Sequence, residues 1–498
     1  MSAGANINVD LVRERRSFVA GYRPGVGNSA RPLLEGEPFV NYADKVRCIG
    51  TGDGAFIESS LDTDGLKVYA QAGTAAGNKL IADKLKGLYV LPEEYPKAGP
   101  IGQGDDTAAV NAAFATGRKV LFLERKYQVT NVLIPKESQG AAGFGDKSVI
   151  EGGVGGEATG HIMQMVGLDY INRAWNAVFE NFKISTAVNR TGGSAFLVRN
   201  SSNISLENVR IGDLKDLYTG VANGKFLYNG ATFIDYYHAT MKGCHMAGFN
   251  HDGVTIAGID IGGAEFFWEG AQVIQAARAG FHCGGKAGGV KLISGGASLC
   301  QIGLLVSLEL DPVVNPQIFV GSMFSLDTCI DYGALFQPNA TYFFAADIMW
   351  CRGIGKNAGG VAIPGAQGKG IFVAAGQRPD ALFQISQLTC NENTGTGAEF
   401  NGGNVIVAGG EASFNTNNGL VIGGDIPLFK GTGVMTRYNG QYGHYVDPAV
   451  VAGAKAGNRT LHLVGPTSFA NGAGESFGFT GANAGRYRLD AAMGVVSP

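Results

Sequence analysis

An apolar strand pattern recurs from about residue 175 onward, and it constrains the fold of this 498-residue chain more than any other sequence feature. Each copy is an apolar run, followed some residues later by glycine and a second apolar anchor. The clearest runs are Ile204–Ile211, Leu292–Leu299, Phe383–Leu388 and Val405–Gly410. The second-strand anchors are Val221, Val254, Phe281, Leu304, Ala334, Val361, Ala398 and Leu420. Their spacing averages about 28 residues, within the 20 to 50 residues that indicate a solenoid.

The irregular spacing favours a parallel β-helix over other repeat folds. Leucine-rich and ankyrin repeats keep a tighter period and more helix, whereas the rungs of a β-helix tolerate loops of different length. The composition agrees, with 78 glycines, 45% hydrophobic residues and 16% charged residues. Such a composition is typical of a turn-dense β protein and argues against disorder. We therefore predict an all-β fold built on a parallel β-helix.

A short helix is predicted just before the first strand of the solenoid. Asp105-Asp106-Thr107 provides carboxylates that can accept hydrogen bonds from the free N–H groups of a first helical turn. No glycine or proline follows until Gly117, where the helix should end. Val110 and Phe114 lie on one apolar stripe. We expect this stripe to cover the open end of a sheet that begins at Lys119–Leu123, because an uncovered end invites edge pairing.

This cap resembles the one in the pectate-lyase-like right-handed β-helices of bacteriophage tailspikes. In that family an Asp-Asp-Thr sequence and a short helix cap the solenoid, and a Val-x-x-Pro-x-Gly-x-Tyr strand begins it. Here Asp105-Asp106-Thr107 and Tyr127 match, while Leu123–Lys126 replaces the Pro-Gly turn. The motif covers about thirty residues and contains no catalytic group. The resemblance implies a right-handed parallel β-helix, a homotrimer and a place in the phage tail.

Changes in sequence texture divide the chain into four predicted segments. Residues 1–95 form a small N-terminal domain, which by the resemblance attaches to phage tail or baseplate proteins. Residues 96–135 hold a linker, the capping helix and the first strand, after prolines that stiffen the connection. Residues 136–424 form the β-helix. Residues 425–498, with Asn-Gly turns and few large apolar groups, form a short β-rich region expected to intertwine with identical chains.

Charge and hydropathy exclude several classes of partner. A net charge of -3 makes nucleic acid an unexpected partner. The N-terminus has no apolar core of signal-peptide length, and no uncharged apolar run reaches the roughly eighteen residues that span a bilayer. We therefore expect synthesis in the host cytoplasm without a signal peptide and no membrane insertion, and the resemblance implies assembly into the virion.

Metal and cofactor chemistry is not expected either. Six of the seven cysteines lie beyond residue 240, mostly among apolar neighbours, which indicates reduced and buried thiols. No Cys-x-x-Cys pair occurs. His238, His245 and His251 are spaced by seven and six residues, which suits neither a helical pair nor a zinc ribbon. We predict no metal and no cofactor.

Alignment of the predicted rungs puts Asp327, Arg352 and Glu392 in one column on three successive turns. The two carboxylates would then lie about 9.6 Å apart, which is twice the strand spacing. That is near the upper end of the roughly 6.5 to 9.5 Å found in inverting glycosidases. We predict Asp327 and Glu392 as catalytic and Arg352 as substrate-binding. The alternative is a ladder of weak, exposed ion pairs, and a one-residue slip in register would turn the side chains to the other face.

A second column is predicted to hold Glu207, Lys242 and Trp268, with Arg210 and His245 three positions further along. An aromatic face beside mixed charge suits a sugar ring, and a Lys or His near a carboxylate could act as the base of a polysaccharide lyase. We predict Glu207, Lys242, His245 and Trp268 as substrate-binding. The alternative is a polar outer face with Trp268 packed in the core.

The predicted function is that of a homotrimeric phage tailspike that recognises, and by the resemblance also depolymerises, a bacterial capsule or O-antigen by hydrolysis or elimination. A non-enzymatic tail adhesin with the same fold is the alternative, because a long polar column binds sugar whether or not an acid and a base are aligned. A free bacterial polysaccharide lyase is a third reading, which the N-terminal domain and the missing signal peptide disfavour.

Overall fold

The computed structural model describes residues 89–96, 101–169, 171–213, 225–309, 311, 316–447, 449–450, 460–464 and 466–472, together with the backbone of strands near both termini. The chain divides into two compact units, residues 1–91 and 92–498. In the first unit, β1 (Arg15–Ser17), β2 (Pro38–Asn41), β3 (Val46–Gly50), β4 (Phe56–Ser60) and β5 (Tyr69–Gln71) form a five-stranded sheet. Strands β1 and β2 pair in parallel, and the others pair antiparallel.

The remaining elements begin with β6 (Tyr89–Val90), a 3-10 turn at Pro92–Glu94 and the helix α1 (Thr107–Ala115). The strands that follow are β7 (Lys119–Leu121), β8 (Lys126–Val129), β9 (Val132–Ile134), β10 (Gly140–Ala142), β11 (Val149–Gly152), β12 (Met163–Val166), β13 (Ala174–Trp175), β14 (Val178–Glu180), β15 (Lys183–Thr186), β16 (Ser194–Glu207), β17 (Arg210–Gly212), β18 (Asn229–Lys242), β19 (His245–Phe249), β20 (Val254–Glu269), β21 (Ala271–Ala276) and β22 (Ala279–Ser298). A second 3-10 turn lies at Gly145–Lys147.

The later strands are β23 (Ile302–Ser307), β24 (Gln317–Asp327), β25 (Tyr332–Phe336), β26 (Phe343–Arg352), β27 (Lys369–Val373), β28 (Leu382–Asn391), β29 (Ala398–Phe400), β30 (Asn404–Val407), β31 (Gly410–Glu411), β32 (Leu420–Ile422), β33 (Leu428–Thr432), β34 (Val434–Arg437), β35 (His444–Val446), β36 (Thr460–Val464), β37 (Thr467–Phe469) and β38 (Arg488–Asp490). From β7 onward every strand pairing is parallel, so the second unit is a parallel β-helix and the predicted fold class is confirmed.

Three parallel sheets run along the solenoid. Sheet A contains β7, β10, β14, the ends of β16, β18 and β20, the middle of β22, the starts of β24, β26 and β28, and then β30, β33, β36 and β38. Sheet B contains β8, β11, β15, β17, β19, β21, the ends of β22, β24, β26 and β28, and then β31, β34 and β37. Sheet C contains β9, β12, the starts of β16, β18, β20 and β22, and then β23, β25, β27, β29, β32 and β35.

Most of the predicted anchors form one inward row of sheet C. Val254, Phe281, Leu304, Ala334, Ala398 and Leu420 are register partners on successive rungs, with Ile371 between the fourth and the fifth. Val361 is not part of this row; it is 63% exposed. It was mistaken for an anchor because the loop before β27 is long. Val221 lies outside the described residues, and the partner of Val254 on the preceding rung is Ala231.

The predicted cap is present, but Asp106 acts differently from an ordinary helix cap. The helix α1 buries Val110 and Phe114, as expected. The carboxylate of Asp106 accepts hydrogen bonds from the backbone N–H of Gln128, at 2.7 Å, and of Gly102. Asp105 accepts from the N–H of Thr107 at 2.9 Å. Asp106 therefore ties the start of the helix to β8 of the first rung.

The interior is mostly apolar, and the six described cysteines lie within it as free, buried thiols, as predicted. Parallel pairing continues past residue 424 to β38, so the solenoid extends into the segment for which we predict a role in oligomerisation. None of the described helices has the length and apolar character needed to cross a lipid bilayer.

Candidate functional site

The first predicted column lies on the outer face of sheet B, with one correction. Asp327 and Arg352 are register partners on adjacent rungs, as predicted. The next partner is Asn391, however, and Glu392 follows it at φ 61°. The prediction placed Glu392 in the column one residue too far along the chain, because a left-handed residue that strand alternation cannot reveal follows the end of β28. Glu392 therefore lies in the turn beside the sheet.

A shallow recess of about 110 Å³ is open beside Asp327 on this face. Its lining residues are Gln272, Gly296, Ala297, Ser298, Ser325 and Asp327. The recess exists because small residues occupy successive rungs, and a Cβ at Gly296 would lie only 1.9 Å from the Ser325 carbonyl oxygen. It is larger than the roughly 30 Å³ share of one water. Trp350, the register partner of Ser325 on the next rung, is 42% exposed.

The electrostatic surroundings distinguish Asp327 from Glu392. Burial against the walls of the recess raises the pKa of Asp327; Arg352 opposes this shift and Glu392 adds to it. Arg352 directs its guanidinium to Glu392, with 2.6 Å between Nη2 and Oε1. Nζ of Lys356 lies 3.9 Å from the other carboxylate oxygen of Glu392. Asp327 is thus suited to hold a proton, whereas Glu392 lies between two cations.

Each rung of this region places one residue with positive φ directly after sheet B. These residues, which we call the left-handed column, are Gln275, Leu299, Thr328, Gly353, Glu392, Phe414, Tyr438 and Ala470, with φ between 49° and 66°. The residue that follows each of them points inward. These residues, the inner turn row, are Ala276, Cys300, Cys329, Ile354, Asn393, Asn415, Asn439 and Asn471. The outer surface beside Asp327 therefore continues upward through Glu392, Phe414 and Tyr438.

The second predicted column is shifted by one residue at Trp268. Glu207 pairs with Lys242, as predicted, but Lys242 pairs next with Glu269. Trp268 is the partner of Met241, is fully buried, and donates from Nε1 to the carbonyl of Ala271 at 3.0 Å. The prediction that Trp268 binds substrate is therefore wrong, because a one-residue shift turns a strand residue to the opposite face.

The adjacent row of sheet B has the predicted register. Arg210 and His245 are partners, and Gln272 of the recess is next in the same row. Burial and the charge of Arg210 lower the pKa of His245, and Asp146 partly opposes them. His245 therefore stays neutral near pH 7 and lies three rungs from Ser325 of the recess.

A hydrogen-bonded Asp-His-Ser chain that the sequence did not suggest lies elsewhere, around sheet C. His282 Nδ1 lies 3.0 Å from Asp252 Oδ2, and His282 Nε2 lies 2.7 Å from Ser307 Oγ. Arg278 also binds the carboxylate of Asp252. All three members of the chain are at most 1% exposed, so we assign it a structural role.

The residues that sequence reasoning missed around the recess are Gln272, Ser298, Ser325, Phe414 and Tyr438. The recess has no sequence signal, because small polar residues at these positions become neighbours only through the register. The aromatic pair does have a sequence signal, which is a repeated X-Asn dipeptide. Its copies are Glu392-Asn393, Phe414-Asn415, Tyr438-Asn439 and Ala470-Asn471. Asn tolerates turns well, so the repeat marks successive turns of the solenoid.

No protein-family model matches this sequence, and no curated protein matches it. The chain is similar to the A-module of the mannuronan C-5 epimerase AlgE6 of Azotobacter vinelandii, with a TM-score of 0.52, 14% identity, and coverage of 82% of this chain and 99% of that one. It is similar to the N-terminal fragment of gene product 12 of bacteriophage Phi29, with a TM-score of 0.49, 14% identity, and coverage of 80% and 74%. For tailspike protein 3 of bacteriophage CBA120 the values are 0.41, 13%, 80% and 61%. At these identities the likeness concerns the fold alone, which is a parallel β-helix.

Proposed function

We propose that this protein is a phage tailspike that binds and depolymerises a bacterial cell-surface polysaccharide, either capsule or O-antigen. The observation that carries the proposal is Asp327, a carboxyl group with a raised pKa at the edge of an open recess, next to the exposed Trp350. The similarity of its fold to that of a mannuronan C-5 epimerase module supports a site that acts on polysaccharide.

Binding would use the small polar residues and the aromatic ring together. Gln272, Ser298 and Ser325 offer donors and acceptors to sugar hydroxyls around the recess. Trp350 offers a flat apolar face on the next rung, where the C–H face of a sugar ring can stack. A few placed polar groups beside an apolar surface are typical of small-ligand sites.

Cleavage would use Asp327 as the general acid. Its protonated carboxyl group donates a proton to the glycosidic oxygen as the C–O bond breaks, and a water molecule adds to the anomeric carbon. Glu392, two rungs away, takes the proton of that water. Two strand spacings separate these rungs by about 9.6 Å, which is far above the roughly 5 to 5.5 Å between the carboxyl groups of retaining glycosidases and closer to the roughly 6.5 to 9.5 Å of inverting ones. Arg352 would position Glu392 through their ion pair.

The test is to incubate the protein with a panel of purified capsules and O-antigens and to measure chain length by size-exclusion chromatography. Asp327→Asn should lower cleavage at least about 100-fold while leaving glycan binding intact. Asp347→Asn, at an exposed carboxylate on the next rung, is the matched control. Wild-type cleavage should also decline as pH rises through the raised pKa of Asp327, since the acid is then deprotonated. Unchanged cleavage by Asp327→Asn would contradict the assignment.

A non-enzymatic adhesin is the second candidate, and one observation favours it. Glu392 is engaged by both Arg352 and Lys356, which suits a structural ion pair as well as a base. Binding to a polysaccharide without any shortening across the panel would select this function.

We also propose a homotrimer that attaches to phage tail proteins through residues 1–95. Light scattering on the purified chain should give three times the monomer mass. A chain lacking residues 1–95 should still give three times its own, smaller monomer mass, since the expected oligomerisation region is C-terminal. A monomeric mass for the full chain would contradict this assembly.

A further inference from the structure

Another column of residues with positive φ follows the corner between sheets C and A. Its members, which we call the corner column, are Asn176, Asn203, His238, Glu265 and Gly289, with φ between 53° and 62°. Strand register places them on successive rungs. Asparagine and glycine tolerate such a backbone best. His238 and Glu265 are therefore the two exceptions in the column.

The side chains of His238 and Glu265 do not compensate for this backbone strain by burial. They are 46% and 45% exposed. Exposed ion pairs contribute little to the stability of a fold. Asparagine at both positions would continue the column without strain, as it does at residues 176 and 203. Two strained and exposed polar residues on neighbouring rungs point to a role outside the fold.

His238, Glu265 and Lys291 form one hydrogen-bonded network. His238 Nδ1 lies 3.0 Å from Glu265 Oε2, and Lys291 Nζ lies 3.4 Å from Glu265 Oε1. The hydrogen bond from His238 and then the one from Lys291 lower the pKa of Glu265, which keeps it ionised. Phe267 holds both donors in place: its ring centroid is 5.1 Å from that of His238 and 4.5 Å from Lys291 Nζ.

Two exposed aromatic side chains border the corner column on its sheet C side. Trp175 and Tyr237 are 48% and 51% exposed. Both are register partners of Ser202, from the rung below it and the rung above it, so about 9.6 Å of strand spacing separates them. Tyr237 directly precedes His238 in the chain. Large flat rings thus lie beside a fixed set of hydrogen-bonding groups.

We propose that this corner is a second saccharide-binding site, formed by Trp175, Tyr237, His238, Glu265 and Lys291, and that it takes a neutral sugar unit of the polysaccharide. This inference rests on the proposed function. Sugar hydroxyl groups both donate and accept hydrogen bonds, and the network offers an ammonium, an imidazole and a carboxylate side by side. The aromatic rings supply a flat apolar surface for the C–H face of a sugar.

The charges of the network favour a neutral sugar over an acidic one. One carboxylate, Glu265, lies against one ammonium, Lys291, so the pair has no net charge to offer an anion. An acidic sugar bound here would bring a second carboxylate next to Glu265, and like charges at close range repel. A neutral sugar meets no such repulsion.

The corner is distinct from the recess beside Asp327. The recess lies on sheet B, which is the one sheet that this corner does not border. A glycan at the corner is therefore a separate polysaccharide chain or a distant part of the chain in the recess. Two sites on one protein raise its avidity for a polysaccharide layer without any new contact at the cleavage site.

The test counts the saccharide fragments bound to each chain. The probe is a short neutral fragment of the polysaccharide that the wild-type protein binds in the panel, and Asp327→Asn in every protein prevents its cleavage. Isothermal titration calorimetry should give two fragments per chain in this background, and one after Trp175→Ala/His238→Asn is added. Phe144→Ala, at a 45% exposed ring between sheets A and B, should leave the count at two.

A second variant separates binding from folding. Glu265→Asn removes the centre of the network but keeps a residue that tolerates the left-handed backbone, so the midpoint of thermal unfolding should not fall. It should likewise reduce the count from two fragments to one. A count of two with this variant and with the double variant would overturn the corner site.

The remaining counts also have definite readings. One fragment per chain before and after the substitutions would overturn the corner site and leave the proposed function intact. A single fragment that is lost with the substitutions would support the corner site and contradict binding in the recess, whereas loss of two fragments together would overturn the separation of the two sites. If the wild-type protein binds none of the panel, the proposed function fails and the corner site with it.

Discussion

The inner turn row contains cysteine thiols in the lower rungs and asparagine amides in the upper rungs. In the lower part, the N–H of Ala276 donates to the sulfur of Cys300 at 3.5 Å. In the upper part, the N–H groups of Ile354, Asn393, Asn415 and Asn439 each donate to the side-chain oxygen of the next asparagine, at 2.9 to 3.1 Å. In both parts, the backbone N–H group of an inner turn residue thus donates to a side-chain acceptor on the next rung.

The two parts differ in whether the side chain that accepts a hydrogen bond also donates one. Each asparagine also donates its amide to the next one, at 2.9 to 3.0 Å, so that Asn393, Asn415, Asn439 and Asn471 form a continuous chain. Sulfur is a weak acceptor and a weak donor. Stacking with cysteine therefore relies on packing, whereas stacking with asparagine relies on hydrogen bonds that must all be made, since a buried unpaired group is costly.

Breaking the amide chain should have the largest effect. Asn415→Ala removes the acceptor for the N–H of Asn393 and the donor to the carbonyl of Cys390, all of them buried. We expect a loss of about 4 kcal/mol in the free energy of unfolding, because each buried group left unpaired costs about 1 to 3 kcal/mol. Denaturant titration checks this. Asn417→Ala, exposed in the same turn, should stay within about 0.5 kcal/mol of the wild type, and equal effects of the two changes would contradict the distinction.

The upper rungs should also be the more acid-sensitive ones. His444 occupies the anchor row of sheet C, next to Leu420, and its Nδ1 lies 3.0 Å from Thr436 Oγ1. Burial lowers its pKa to about 4. The unfolded chain takes up a proton below about pH 6.5, so the folded state loses about 3 kcal/mol as pH falls from 6.5 to 4.

His444→Gln isolates this contribution. Unfolding titrations at pH 7.5 and pH 4.5 should show a larger loss of stability on acidification for the wild type than for the variant. The carboxylates titrate in both proteins and cancel in the comparison. An identical loss in the two proteins would show that His444 does not titrate in this way.

The lower rungs should tolerate the loss of a turn side chain better. Cys300→Ala removes one buried sulfur and one long N–H···S contact. We expect a loss of about 1 kcal/mol, close to that for one buried methylene group. The same titration that measures Asn415→Ala checks this, and a loss as large as that one would remove the contrast between the two halves.

Sequence reasoning predicted the fold well because its signal comes from inward residues. Five of the predicted steps from one anchor to the next anchor are correct or omit only Ile371. The signal is clear because each anchor has to fill the same interior position. The outer columns were harder. Phe266-Phe267-Trp268 is apolar on both faces, so alternation gave no register there, and Trp268 was assigned to the wrong side.

Glu392 illustrates a different limit. The register of Asp327 with Arg352 follows from strand alternation, whereas Glu392 comes after the strand, at a left-handed residue. Its positive φ distinguishes it from the preceding residue, Asn391. That angle is set by the turn and by its neighbours on adjacent rungs. The recess beside Asp327 likewise depends on three rungs at once, so no single segment encodes it.

The X-Asn dipeptides have an evolutionary consequence. Phe414 and Tyr438 point to solvent, while Asn415 and Asn439, the very next residues, hold the rungs together. Under the proposed function, neighbouring codons are therefore under unrelated selection: the first can change with the surface of the host, and the second has to keep its asparagine. We expect host-range variants of this chain to accumulate substitutions at the first position of each dipeptide and to retain the asparagine.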